Sequence, residues 1–396
     1  MSAKLIGGTL LVTGTAIGAG MLALPVATAS FGFLSATGLL ALCWLAMTAA
    51  AFLILEVTLW LPPNTNLVSM AGKTLGPIGQ IVCWLCYLLL LYALLSAYIA
   101  GGTDFLRNLL LAAHVHLSNF ASAFLFTLVL GFVVYRGIHA VDLVNRFLMS
   151  LKFATFFLLA GLLFPHVDTT TLLTDGAHWE SQGMTVVITS FGFATIIPSI
   201  RNYFQSDVNK LRGAILFGSL IPLISYILWN AVVMGVIPRD VLLNMLHSGK
   251  PTSAFITEIS QRLHVPVLTG LARVFTSVCL LTSFLGVALC LADFLADGLS
   301  LQRLGWKNFF VCVLTLVPPL LIVLIKPSIF ITALSFAGII VLILLLILPT
   351  LMAWRGRYQL SLATGYRVVG GRILLIGLLI FAAFVISQMF ITGHVS

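Results

Sequence analysis

The stretch from Gly7 to Pro25 reads GGTLLVTGTAIGAGMLALP, and its composition decides what kind of fold the chain has. It is apolar enough to enter a bilayer, yet Gly14, Gly18 and Gly20 lie in its middle beside Thr13 and Thr15, and Pro25 closes it. Glycine costs roughly 1 kcal/mol against alanine inside a helix, so this cluster weakens continuous helix there. In hydrocarbon, an unwound turn survives only where its freed N–H and C=O groups face protein, ligand or water. A helix broken at mid-membrane offers free N–H groups to an anion and free carbonyls to a cation, which is a transporter feature. The competing reading is a packing face, since Gly14-x-x-x-Gly18 also fits the small-xxx-small pattern.

The rest of the chain favours the first reading. Hydrophobic residues make up 60% of the 396 and charged residues only 8%, against about 25% in soluble domains. This composition predicts an all-α polytopic membrane protein, treated as one transporter domain over 1–396. Lys4 leads directly into the first apolar run, so no cleavable signal peptide is expected. The six cysteines all lie in apolar runs; Cys83-x-x-Cys86 has no histidine or acid beside it and reads as packing. No basic cluster suggests nucleic acid, and no cofactor or metal is expected.

Apolar runs of about 20 residues predict eleven spans: 5–30, 33–60, 78–101, 119–136, 146–165, 184–204, 212–237, 266–293, 308–326, 328–353 and 371–393. With the N-terminus inside, fourteen of the twenty Lys and Arg residues fall on the cytoplasmic side, Lys73, Arg303 and Arg355 among them. Six fall outside: Arg107, Arg239, Lys250, Arg262, Arg273 and Lys326. The odd count leaves the C-terminus outside. Trp60, Trp306 and Trp354 mark the inner edge, Trp179 marks the outer edge, and Asp168, Asp175 and Glu180 fall in an outer loop. The segment 238–265 carries apolar patches at Val241–Leu243 and Ala254–Ile256, so it should pack back on the outer mouth.

The sixth run reads VVITSFGFATIIPSIRNYF (186–204). Like the first, it combines small hydroxyl residues, a central glycine (Gly192) and a proline soon after (Pro198). Five spans separate the two, so they run in opposite directions. Two interrupted spans at matching places point to an inverted repeat, 5–165 and 184–353, with the site at the midplane. The eleventh span lies outside it.

Four segments in order carry a likeness: GTAIGAGMLALP (14–25), TSFGF (189–193) with PSI (198–200), LTSFLGVA (281–288), and GYRV (365–368) with Gly370-Gly371. Together they resemble the bacterial hydroxy/aromatic amino acid permeases of the amino acid–polyamine–organocation superfamily, over essentially the whole chain. The resemblance implies a leucine-transporter-type fold, a 5+5 inverted repeat with spans one and six discontinuous. It implies proton-driven uptake of an aromatic amino acid, tyrosine first, across the bacterial inner membrane. Sodium coupling and tryptophan preference stay open, as does the oligomeric state. A channel would need a continuous polar pore lining, and an enzyme a metal cluster or a nucleophile with its base; the polar residues are too scattered for either.

The resemblance, together with the helix-end argument, places the substrate carboxylate against N–H groups of Thr15, Ala16, Gly18, Ala19 and Gly20. The α-ammonium would take carbonyls from both breaks plus the Ser190 hydroxyl, because a zwitterion enters an apolar bundle only with both charges matched. Phe191 and Phe193, flanking Gly192, are the first candidates for ring walls, and Tyr92 for the substrate-facing residue of span three, with Tyr87 and Tyr98 as nearby alternatives. In sodium-coupled relatives the cation would join carbonyls of span one, here Gly14 and Ile17, to span eight, here the Cys279 carbonyl with Thr282 and Ser283. Lys152, however, stands about two turns into span five, where an ionisable group is a functional hypothesis by default. In some proton-coupled members such a lysine stands where sodium would be, and a desolvated lysine can release its proton near neutrality. Glu56, the one carboxylate well inside a span, is expected to bind Lys152 or an inner-gate arginine, or to carry the proton itself. Asp142 with Arg146, and Asp293 with Asp297, read as solvated helix faces.

Overall fold

The computed structural model describes residues 3–63, 65–112, 114–173, 176, 180–205, 207–248, 251–263, 265–301, 304–363 and 365–392. Trp179, Asp175, Lys250 and Arg303, given places at the membrane faces above, lie outside these residues, as does the last residue of the expected eleventh span. Among the described residues the regular structure is entirely helical. Among the described residues nine helices, 19 to 45 residues long, are long and apolar enough to cross a bilayer. A tenth span is a bent pair at the N-terminus. At the place expected for span four lies an apolar helix of 17 residues, Asn119–Tyr135, about 25 Å long at 1.5 Å per residue.

Span one consists of Ala3–Ala16 and Gly20–Ala27, which meet at 53° across Ile17–Ala19. Span six consists of Ser181–Ser190 and Ile197–Tyr203, joined through Phe191 by a 3₁₀ segment, Gly192–Ile196. Both breaks fall where glycine and proline weaken the helix. The second is milder, a change of helix type across the single turn residue Phe191. Spans two (Phe33–Leu59), five (Ile138–Leu163), seven (Val208–Val236) and eight (Pro266–Gly298) are single helices, as are nine (Gly305–Ile325) and eleven (Gly371–Thr392). Span three begins earlier than its apolar run because Leu67–Ala112 merges a preceding helix with the span; Gly76, at φ +81° before Pro77, makes the kink. Only glycine takes that conformation without strain. Span ten runs from Phe330 to Tyr358 with one π turn at Ile343–Ile347.

Segment 238–265 forms two helices, Arg239–Ser248 and Pro251–Leu263. Their apolar residues, Leu242, Phe255, Ile256 and Ile259, turn inward and are buried. They pack on the second half of span one and on spans three and eight, which agrees with the apolar patches read in the sequence.

The two broken spans sit at the centre of the bundle. Span one packs on seven, span six on two and ten, and span eight on three and five. Span eleven lies against ten and the first half of six. Span ten approaches span six so closely that a Cβ added at Gly338 would lie 2.1 Å from the Thr185 carbonyl oxygen. Beside this contact Thr189 Oγ1 donates to the Leu334 carbonyl at 2.8 Å. Gly338→Ala therefore forces these backbones apart, an overpacking cost of about 1–3 kcal/mol. Thermal unfolding of the purified variant measures it, and an unchanged midpoint would contradict the contact.

Candidate functional site

The first half of span one ends at Ala16, whose carbonyl has no partner one turn on within its own helix. It accepts from the Tyr226 hydroxyl at 2.7 Å. The same hydroxyl lies 2.9 Å from the carbonyl of Ser190, the last residue of the first half of span six. One phenol of span seven thus joins the carbonyl ends of both broken helices. Its ring meets Phe191 edge-on, with centroids 5.4 Å apart. Tyr226, Phe191 and Phe193 are all fully buried.

One residue further along, the Ile17 carbonyl accepts from Lys152 Nζ at 2.6 Å. Lys152 also donates to Thr282 Oγ1 at 3.4 Å, and Thr282 donates onward to the Val278 and Cys279 carbonyls. The lysine is 1% exposed. Among the described residues no carboxylate pairs with it. It comes from span five, which packs on span eight. Met149, one turn earlier on span five, fills the space a Cβ on Gly14 would need, 2.7 Å away. Gly14 therefore serves close packing of spans one and five, while Ile17 supplies the carbonyl.

At the N-terminal end of the second half of span one, the Ala19 N–H donates to Ser283 Oγ at 2.8 Å. A Cβ on Gly18 would sit 2.7 Å from that same hydroxyl, and one on Gly20 would sit 3.2 Å from Ser190 Oγ. Bare glycine is what lets spans six and eight close on the break. The Gly18 and Gly20 N–H groups meet no acceptor among the described residues, and Gly20 opens an eight-residue helix. Free N–H groups at a helix start are suited to a carboxylate.

Several expected residues sit differently. Thr15 Oγ1 is bonded back to Val12 O at 2.7 Å within its own helix. The Ala19 N–H is occupied by Ser283, so it is not a free donor. Ser190 Oγ bonds back to Val186 O at 3.0 Å, which leaves Ser190 at the site through its carbonyl. Gly192 faces Val341 of span ten, 3.7 Å from where its Cβ would be. Tyr92 donates to the Leu314 carbonyl of span nine at 2.8 Å, so its phenol faces away from the breaks. Tyr98 instead reaches the site, against Ser283.

Glu56 is not part of this cluster. Its carboxylate accepts from Arg357 Nε at 2.7 Å, Arg357 Nη2 at 2.5 Å and the Val368 N–H at 2.7 Å, all near the C-terminal ends of spans two and ten. Glu56 therefore does not bind Lys152. Asp142 and Arg146 form an exposed pair at 2.6 Å, as their spacing suggests. Tyr226 is the residue that reading the sequence missed. The available signal was a mid-span phenol in SYILW (225–229), which must find a buried acceptor.

Two broken helices meeting at mid-bundle, with polar ends turned on each other and a buried ammonium beside them, define a fold of the leucine-transporter type. The crystal structure of MhsT in complex with L-phenylalanine has this fold, matching 98% of each chain with a TM-score of 0.66 at 14% sequence identity. The chain belongs to the tryptophan/tyrosine permease family, whose profile matches residues 1–389. It is 34% identical to tyrosine-specific transport system 2 of Haemophilus influenzae, over 94% of this chain and 93% of that one. To the tryptophan-specific transport protein of the same organism it is 30% identical, over 94% and 92%. It is a multi-pass membrane permease related to bacterial aromatic amino acid transporters, and not an enzyme.

Proposed function

We propose that the protein is a proton-coupled symporter that imports an aromatic amino acid, tyrosine first, across the bacterial inner membrane by alternating access around the two breaks. The observation that carries the coupling is Lys152, held between Ile17 O and Thr282 Oγ1 with no carboxylate partner among the described residues. An ammonium there fills the space between span one and span eight that a sodium ion would otherwise join. When it gives up its proton, the tie to the Ile17 carbonyl weakens, and the hold of span five on the break in span one loosens.

The substrate follows from the same geometry. Its carboxylate meets the Gly18 and Gly20 N–H groups, and its ammonium takes the remaining lone pairs of the Ala16 and Ser190 carbonyls, since each carbonyl oxygen accepts two hydrogen bonds. Phe191 and Phe193 supply apolar walls for the ring. The tyrosine assignment is supported by the tyrosine-specific transport system of H. influenzae, 34% identical to this chain. A 5+5 inverted repeat is supported by helix packing: one on seven answers six on two, five on eight answers ten on three, and four on three answers nine on eight. With the basic residues concentrated as they are, the N-terminus is cytoplasmic and the C-terminus periplasmic.

The test is uptake of labelled tyrosine into proteoliposomes, with an inward proton gradient compared with an inward sodium gradient, challenged by unlabelled tryptophan. Accumulation under the proton gradient alone, with weak competition by tryptophan, is the expected result. Accumulation under sodium alone would reduce Lys152 to a structural cation, and tryptophan competing more strongly than tyrosine would reassign the substrate.

A further inference from the structure

We infer that Tyr226 is a specificity-determining positioning residue: by fixing the carbonyls of Ala16 and Ser190 to one hydroxyl, it sets the acceptor pair that distinguishes an α-amino acid from the same molecule without its amino group. The inference rests on the reading that these two carbonyls take the substrate ammonium.

The terminal carbonyls of a helix lack partners of their own and carry the negative end of its dipole. Two such ends brought together repel each other unless a donor stands between them. Tyr226 is that donor, 2.7 Å from Ala16 O and 2.9 Å from Ser190 O. It is neutral and covalently fixed, so the two helix ends are held in register without an ion. A phenol has a single proton to donate, whereas each carbonyl has two lone pairs. One lone pair on each oxygen therefore remains, and the distance between the two is set by the phenol. A primary ammonium, with three N–H donors, can satisfy both at once.

The hydroxyl cannot drift from this position. The ring is 0% exposed, and Phe191, the residue directly after Ser190, sits edge-on against it at 5.4 Å. Thr13, one turn before Ile17, also donates to a carbonyl of span seven, Gly218 O, at 3.2 Å. Span seven is thus tied to the first half of span one at two points ahead of the break, and of these two ties only that of Tyr226 extends to span six. The two interrupted spans are far apart in sequence, so a group bonded to both controls their relative placement.

The experiment is competition against labelled tyrosine uptake in proteoliposomes containing the full chain. The competitors are unlabelled tyrosine and 3-(4-hydroxyphenyl)propanoate, which keeps the ring and carboxylate and lacks the amino group. The readout is the ratio of the two inhibition constants. In Tyr226→Phe this ratio is expected to fall by about tenfold, equivalent to about 1.4 kcal/mol and typical of one hydrogen bond to a charged group. A ratio unchanged within about twofold, whatever happens to overall affinity, would overturn the inference and leave Tyr226 a packing residue. Should the phenylalanine variant fold poorly, 4-aminophenylalanine and 4-fluorophenylalanine introduced at position 226 make the same comparison in one shape. Only the first has a donor, so it is expected to keep the wild-type ratio while the second loses it; equal ratios would overturn the inference. A wild-type protein that takes both competitors equally well would instead overturn the ammonium reading of the site, and this inference with it.

Discussion

Proteoliposomes carrying Lys152→Ala are expected to lose gradient-driven accumulation of tyrosine while still exchanging labelled for unlabelled substrate across the membrane. A membrane potential of about 100 mV supplies about 2.3 kcal/mol per charge carried. At about 1.4 kcal/mol per tenfold this sustains roughly 50-fold accumulation, and the variant is expected to fall to a ratio near one. Exchange is expected to survive because the proposed substrate contacts, at Gly18, Gly20, Ala16 and Ser190, do not include the lysine. What is lost is the side chain that bridges Ile17 O and Thr282 of span eight, the proposed proton carrier. Lys152→Arg separates charge from proton transfer. Guanidinium keeps a positive charge at every working pH and cannot give up its proton, so this variant is also expected to exchange without accumulating. Normal accumulation in Lys152→Ala would remove the lysine from the coupling. Normal accumulation in Lys152→Arg would make it a fixed cation.

The parts of this site that were legible in the sequence are those where one residue type conflicts with its surroundings. Glycine, hydroxyl and proline clustered inside an apolar run mark both broken spans, because together they weaken a continuous helix more than close packing alone requires. A lysine two turns into span five stands out for the same reason. What could not be read is direction around a helix in relation to distant neighbours. Tyr92 and Tyr98 are six residues apart, so at about 100° per residue their side chains differ by about 240° around span three. One therefore faces the Leu314 carbonyl and the other Ser283. Hydropathy makes both equally plausible, and only the packing of span three between eight and nine chooses. Tyr226 was hidden in the same way, since its acceptors lie 210 and 36 residues away in sequence. Span boundaries moved for a simpler cause. Span five starts at Ile138, ahead of the apolar run at 146, because Gly137 at φ +84° begins the helix while its first turns are still partly polar.

Removing the carboxylate of Glu56 is expected to destabilise the protein more than any other single change to a polar group. Glu56 and Arg357 are 301 residues apart in sequence, with both side chains wholly inaccessible. The carboxylate holds two guanidinium N–H groups and the Val368 N–H, and Arg357 Nη2 also reaches the Val368 carbonyl at 3.3 Å. Span two, the end of span ten and the connection to span eleven therefore converge on one anion. Nearby, Arg367 and Arg372 lie over the Tyr358 ring at 5.6 and 4.8 Å, and Arg212 over Tyr366 at 5.6 Å. These contacts tie the same connection down, but each is worth only about 0.5–1 kcal/mol where exposed. Breaking a buried ion pair by removing one partner costs about 3–5 kcal/mol, chiefly because the other charge is left without a counter-ion. Glu56→Gln is thus expected to lower the apparent melting temperature in detergent by on the order of 5 °C or more. The cost belongs to the orphaned guanidinium, so removing both charges should recover most of it. Glu56→Leu combined with Arg357→Met is expected to melt close to the wild type. A single variant as stable as the wild type, or a double variant no better than the single, would mean that the pair does not carry this junction. In either protein, exchange of tyrosine by the folded fraction should be retained, because the ion pair lies outside the cluster that links Ile17, Thr282 and Tyr226.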